Sequence, residues 1–415
     1  MDMLLDRFCR YVKVHTTAVE DTDKYPSSEG QFELGRVLVA EMKELGLEDV
    51  TMDRWGIVMG TIPGNIPGAA TIAWLSHKDT SPEASGKNVE PQIVKNYNGK
   101  DIKLPGDKTK VILTSETKGM AQLKGKTLIT TDGTTLLGAD DKAGIATIMT
   151  AAAALLANRR IKHGPIRVIF TCDEEIGLGC KKLNIKKINA VCAYTLDGEA
   201  EGGVENETFS ADLATVTLTG KNIHPGFAKD VMINAVRLAG LFITRMPWQR
   251  LSPETTCGRD GFLHPYIIEG GAPEVKIKIL LRSFVTAELK EQAKLLKNVA
   301  STIMAEFPGA KIDVNVAKQY RNMVEHLAKE PRAVALAGKA VKKAGLDPIY
   351  ESIRGGTDGS RLSEMGLPTP NLSVGMHNFH SPLEFACLEQ MESAVKVLVE
   401  LAKLWGKEKA KRRRK

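Results

Sequence analysis

Histidines and carboxylates in this 415-residue chain gather where apolar runs end. Thr71-Ile72-Ala73-Trp74-Leu75 leads into Ser76-His77-Lys78-Asp79, and Ile166 to Thr171 leads into Asp173-Glu174-Glu175. Val191 to Leu196 leads into Asp197-Gly198, and the stretch from Pro368 to Gly375 into His377-Asn378-Phe379-His380. Asp140-Asp141-Lys142 stands just before an Ala-rich run, Ala143 to Leu156. Neutral imidazoles mixed with several carboxylates suit Zn²⁺, whereas an oxygen-only set would suit Mg²⁺ or Ca²⁺.

Each fragment alone has a plainer reading. Asp140 or Asp141 could cap the following helix, since Asp is a preferred N-cap. His77 could be a hydrogen-bonded histidine at a strand end, and Asp79 a turn residue. Glu174-Glu175 could be a solvated loop pair, Asp197-Gly198 an ordinary turn, and His377 or His380 a surface residue. Their joint position at strand ends favours a site, because ligands of open parallel sheets bind at the carboxyl ends of the strands.

The elements that must carry these residues are apolar strands alternating with helical patterns, which predicts a mostly parallel α/β sheet. Leu388 to Trp405 reads as an amphipathic C-terminal helix, and Ser81 to Thr127, rich in Gly, Pro, Asn and Lys, as a rim decoration with short strands. Between about Ser210 and Gln319 the pattern changes to strand (213–219), helix (231–245), strand (266–269), strand (274–284), helix (287–307), strand (311–317). That β-α-β-β-α-β order is ferredoxin-like. Gly270 to Pro273 supplies the central turn and Thr286 the cap of the second helix. The predicted organisation is a discontinuous catalytic domain, 1–208 and 321–415, interrupted by an α+β lid domain, 209–320.

Composition narrows the class. With 43% hydrophobic and 26% charged residues the chain reads as an ordinary globular protein, and the absence of an apolar leader or of a run of roughly 20 apolar residues predicts a cytoplasmic one with no membrane partner. The net charge of +7 is concentrated in Lys407–Lys415, which holds +6 and reads as a disordered tail. The remainder gives no support to nucleic-acid binding. Six cysteines without Cys-x-x-Cys spacing read as thiols of a reducing compartment.

The ordered set His77-x-Asp79, Gly138-Ala139-Asp140-Asp141-Lys142-Ala143-Gly144, Asp173-Glu174-Glu175-x-Gly177, Asp197-Gly198, His224-Pro225-Gly226 and His380 resembles the M20 metallopeptidases. Ser76 to Pro82, Ser85 to Val89 with Pro91-Gln92-Ile93, and Ile353-Arg354-Gly355-Gly356-Thr357-Asp358-Gly359 are similar to its peptidase T branch. The resemblance implies a zinc-peptidase-like fold and two Zn²⁺ per chain. It assigns one to His77, Asp140 and Asp197, and the other to Asp140, Glu175 and His380, with Asp140 bridging. It further implies that Asp79 orients His77, that Glu174 is the general base, and that His224 donates to the oxyanion. Arg354 is implied to bind the substrate's terminal carboxylate, with Arg282 as a second candidate; a loop arginine and a structural ion pair are their plainer readings. The expected substrates are short peptides, tripeptides above all, and pairing of relatives through the lid makes a homodimer an open expectation. Rival activities on the same scaffold are those of a dipeptidase, a carboxypeptidase or an N-acyl amino acid deacylase. A metal-free binding protein would lack a ligand or the base, and every such position is filled.

Overall fold

The computed structural model describes residues 2–199 and 201–409. The chain forms two compact units. One is built from the stretches up to Asn206, Glu325–Glu351 and from Thr357 on; the other is Glu207–Val324 with Ser352–Gly356. The short strip that carries Arg354 therefore belongs to the second unit rather than to the flanking domain expected for it. There Ile353 O accepts from Phe209 N–H and Ser352 Oγ donates to Glu207, which holds the strip.

The first unit centres on an eight-stranded sheet in the order Glu48–Met52, Val58–Ile62, Ile166–Thr171, Ile72–His77, Ala193–Gly198, Asn371–Ser373, Gly203–Thr208, Ile349–Ile353. The four from Ile166–Thr171 to Asn371–Ser373 run parallel. All six residues of Ile72–His77 are buried, as expected of a parallel strand covered on both faces. Its alternate side chains enter different cores. Ile72 and Trp74 join a large core with the helices Ala139–Ala157 and Leu388–Trp405, and Ala73 and Leu75 join a smaller one with Cys180, Ile188 and Leu362. The Ala-rich composition of Ala139–Ala157 suits a helix buried nearly all round, since small side chains let it approach the sheet closely.

A second, four-stranded sheet matters for the site. It joins Met376–His377, Phe385–Cys387, Leu128–Thr130 and Gln92–Val94. The segment expected as rim decoration thus has its own core, where Tyr97, Leu104, Ile112, Met120 and Leu123 pack with Phe385 and Cys387.

The second unit is a four-stranded antiparallel sheet, Phe262–Gly270, Glu274–Ser283, Ser210–Thr219, Lys311–Tyr320, with helices Ala235–Arg245 and Glu288–Glu306. Val275, Ile277, Ile279 and Leu281 are buried against those helices while Lys276 is exposed, the alternation of a sheet with one covered face. The first helix begins at Ala235 rather than near Val231, because Lys221 and Ile233 exchange backbone hydrogen bonds and Asn234 caps Val236 N–H. Thr286 does not cap the second: the N-cap is Ala287, and the Thr286 hydroxyl lies 2.7 Å from that of Ser210.

The tail expected as disordered from Lys407 is held through Lys409. Ala70 N–H donates to Glu408 O, Ala69 bridges to Lys409, and Arg332 Nη1 lies 3.0 Å from Glu408 Oε2. Residues 410–415, the rest of that tail, lie outside the described residues. Trp405, at the end of the C-terminal helix, is 1% exposed and donates Nε1–H to Tyr194 Oη at 2.7 Å. Trp405→Ala should therefore cost about 3–5 kcal/mol, read as a lowered urea midpoint with unchanged slope; a loss under about 1 kcal/mol would show that the ring is not part of the core. Among the described residues all six cysteines are free thiols, and no helix is long and apolar enough to cross a membrane.

Candidate metal centre

The strand Ile72–His77 ends with the His77 ring buried at 3% exposure, and the kinked first turn of Ala139–Ala157 places Asp140 against it. His77 Nε2 lies 2.9 Å from Asp140 Oδ1 and 3.7 Å from Asp197 Oδ1. The other oxygen of Asp140 faces a second imidazole, with His380 Nε2 3.3 Å from Oδ2. His380 Nε2 also lies 2.9 Å from Glu175 Oε2. One carboxylate thus presents an oxygen to each of two histidines, and each histidine has a further carboxylate beside it.

Asp140 and Asp141 do not cap their helix. Both depart from helical backbone geometry, a kink just after Gly138 in the left-handed region, φ 77°, and neither side chain accepts an N–H of the helix that follows. Asp141, fully buried, accepts from Ser76 Oγ–H at 2.5 Å and His77 N–H at 3.2 Å.

Asp79 lies at 0% exposure and has two tasks. Its main-chain oxygen is 3.1 Å and its carboxylate 3.5 Å from His77 Nδ1, so the carbonyl is the closer partner and sets Nδ1 as the protonated nitrogen, leaving Nε2 free to ligate. The two carboxylate oxygens accept the N–H groups of Glu174 and Glu175 at 3.1 and 3.0 Å. Asp173, at φ 59°, reverses the chain just before them and is held by Ser27 and Gln31.

The electrostatics call for cations. Burial pushes Glu175 up to about 8 and Asp197 up to about 7, each reinforced by the charge of Asp140. Burial likewise raises Glu174 well above the usual carboxylate range. Burial would lower both histidines, but their bonds to carboxylates prevail: Asp140 and Asp197 hold His77 well above its ordinary value, and Asp140 and Glu175 push His380 up to about 11. Burial also opposes the charge of Asp140, yet its bonds to His380 and His77 keep it well below the carboxylate range. Raised values of this kind mean that protons compete for the site, and a metal ion bound there would displace them. Two buried oxygens, Glu175 Oε1 and Asp141 Oδ1, have no hydrogen-bond partner. Buried oxygens of that kind are costly unless something positive meets them, so the residues fit a pair of divalent ions.

Other residues fall elsewhere. His377 is buried, stacked on Phe385 at 4.7 Å and 2.7 Å from Gln390 Oε1 through Nε2, a core histidine. In the second unit His224 is exposed and caps a short turn, Nδ1 accepting from Gly226 N–H at 3.1 Å. Arg282, 9% exposed, donates to the carbonyls of Leu281 and Asp212, which makes it a packing residue rather than a displayed one. The Arg354 guanidinium is half-buried and braced: it donates to Gly258 O and Asp260 O at 2.9 and 2.7 Å and to Thr256 Oγ1 at 3.0 Å, and lies over Phe209 and Phe262.

Sequence reasoning passed over two kinds of residue. Lys78 and Lys142 are buried ammonium groups spent on main-chain carbonyls, Gln31 and Gly56 for the first and Val14 for the second, and burial lowers Lys142 to about 7. The other is Glu384, whose carboxylate accepts the N–H of Asp140 at 3.0 Å. The available signal was a lone carboxylate beside the apolar Phe385-Ala386-Cys387 run.

Comparison with known proteins adds four findings. A family model described as peptidase family M20/M25/M40 matches residues 131–404. The peptidase T of Halothermothrix orenii is 43% identical over 407 residues, 98% of this chain and 100% of that protein; the peptidase T of Bacillus velezensis is 44% identical over 404 residues, 97% and 98%. Among solved structures, aminopeptidase PepT from Bacillus cereus superposes with a TM-score of 0.77 at 26% identity, covering 98% of this chain and 99% of that one.

Proposed function

Since the chain belongs to peptidase family M20/M25/M40, we propose that it is a two-metal aminopeptidase that removes the N-terminal residue of short peptides, tripeptides foremost. The observation that carries this reading is Asp140, whose two oxygens each face one imidazole Nε2. His77, Asp140 and Asp197 would hold one ion, and Asp140, Glu175 and His380 the other; zinc is the proposed metal on the strength of this nitrogen and oxygen set. Bound there, two cations would acidify a water molecule and polarise the scissile carbonyl.

The chain's own residues do the rest. Glu174 is the proposed base: it takes the proton of the attacking water and hands it to the leaving amine, a role that needs a carboxylate kept off the metals. Its neighbour Glu175 is turned to His380 instead. Asp79 keeps the two apart by fixing both main-chain N–H groups on one carboxylate while orienting His77. His224 keeps the role the resemblance implies, donation to the oxyanion. Arg354, braced on the 256–260 loop, is proposed to receive the substrate carboxylate on the Nε edge that this bracing leaves open.

A panel of matched di-, tri- and tetrapeptides with free and blocked N-termini, given to metal-reconstituted protein, tests this reading. Tripeptides with a free amine should have the highest kcat/KM. Amidating the tripeptide's C-terminus should remove most of that advantage in the wild type and much less in Arg354→Ala, because a charge-assisted contact of roughly 1.5–3 kcal/mol is already lost. Equal penalties in both would leave Arg354 as a brace of the 256–260 loop alone. Preference for an N-acylated substrate or for cleavage at the C-terminal bond would replace the aminopeptidase with a sibling activity.

A further inference from the structure

Glu384 is a carboxylate at 1% exposure whose two oxygens are spent on one turn of main chain. Oε2 accepts the N–H groups of Leu137 and Gly138, both at 2.7 Å, and Oε1 accepts that of Asp140 at 3.0 Å. Gly138 in the left-handed region aims successive N–H groups into one concavity, the geometry that binds anions in many proteins. Here the anion belongs to the chain itself. Glu384 lies four residues after His380 and immediately before Phe385–Cys387, whose pairing with Leu128–Thr130 brings the two loops side by side. The carboxylate therefore joins the loop bearing one histidine to the turn bearing the shared aspartate.

We propose that Glu384 is a positioning residue of the metal centre: by gripping Leu137, Gly138 and Asp140 it sets the distance between Asp140 and His380, and so governs the affinity of the metal position those two share. This inference rests on the two-metal reading. Of the three ligands of the Asp140, Glu175, His380 position, two lie on the elements that Glu384 ties together. The His77, Asp140, Asp197 position has only one on them. Loss of the grip should act unequally on the two.

The test is calorimetric titration of Zn²⁺ into chelator-stripped full-length protein, comparing wild type, Glu384→Gln and His380→Ala. Gln keeps the shape but turns an amide N–H₂ toward one of the donors. Wild type should bind in two steps, and His380→Ala identifies which step belongs to the shared position by losing it. In Glu384→Gln that same step should weaken about 10–100-fold, the usual effect of losing a partner that orients a metal ligand, while the other step moves less than about threefold. Hydrogen exchange on the stripped proteins should show faster exchange confined to residues 131–145. Equal weakening of both steps, or unchanged binding with unchanged exchange, overturns the inference. A wild type that binds a single ion overturns the two-metal reading and this inference with it. Should Glu384→Gln not fold, Glu384→Asp, one methylene shorter, is judged by the same ratio of the two steps.

Discussion

Asp140→Ala should empty both metal positions, taking the protein from about two bound ions per chain to fewer than one and turnover to background. The expectation follows from the carboxylate's geometry, with one oxygen 2.9 Å from His77 Nε2 and the other 3.3 Å from His380 Nε2. Among the described residues no other carboxylate has an ion-pair contact with both histidines: Asp197 meets only His77, and Glu175 only His380. Asp197→Ala and His380→Ala should each weaken one position and leave the other occupied. Elemental analysis after reconstitution and desalting reads all three. If Asp140→Ala kept two ions, the shared-ligand geometry would have no chemical meaning. The histidines would then be paired with carboxylates only for lack of anything else.

Glu174→Ala should behave oppositely, keeping both ions while kcat falls by ~10²–10⁴-fold, the range for loss of a general base. Glu175→Ala should lose an ion, because its Oε2 lies 2.9 Å from His380 Nε2 and its buried Oε1 awaits a partner. Adjacent residues of one chemical type then differ in kind of defect rather than degree. The contrast survives any general damage to the loop, since both are hung from Asp79 by main-chain N–H groups of nearly equal length. Metal loss in Glu174→Ala together with retention in Glu175→Ala would exchange the two roles.

The sheet and its strand-end acids could be read from the residues because buried parallel strands are short apolar runs, and the first polar residue after such a run marks the sheet's edge. Leu388–Trp405 was legible for a similar reason, a periodic stripe with a clear end. What stayed hidden depends on partners far away in the chain. Glu384 looks like any acidic loop residue until Phe385–Cys387 is seen beside Leu128–Thr130. Arg354 and Arg282 look alike in the sequence, and only their partners show that one is braced on the 256–260 loop and the other buried against main-chain carbonyls. Glu408 reads as one acid in a basic tail, and its main-chain bond to Ala70 has no local signature. Thr286 failed as a cap because a nearby serine offered its hydroxyl a better partner than the helix did.

The small sheet that pairs Phe385–Cys387 with Leu128–Thr130 also dictates when, during synthesis, the centre can exist. Asp140 and Glu384 are 244 residues apart in the chain. At about 5–20 residues per second a ribosome needs roughly 10–50 seconds to travel from one to the other. By the time Asp197 has been made, His77, Asp140, Glu175 and Asp197 are all in the chain, and the histidine that stands beside Asp140 and Glu175 is still more than a hundred codons away. On the two-metal reading, the nascent chain would carry an acid-rich half-site that lacks one ligand of its second position. Completion of the centre, on that reading, therefore waits for the His380 loop, which is seated by its own strand.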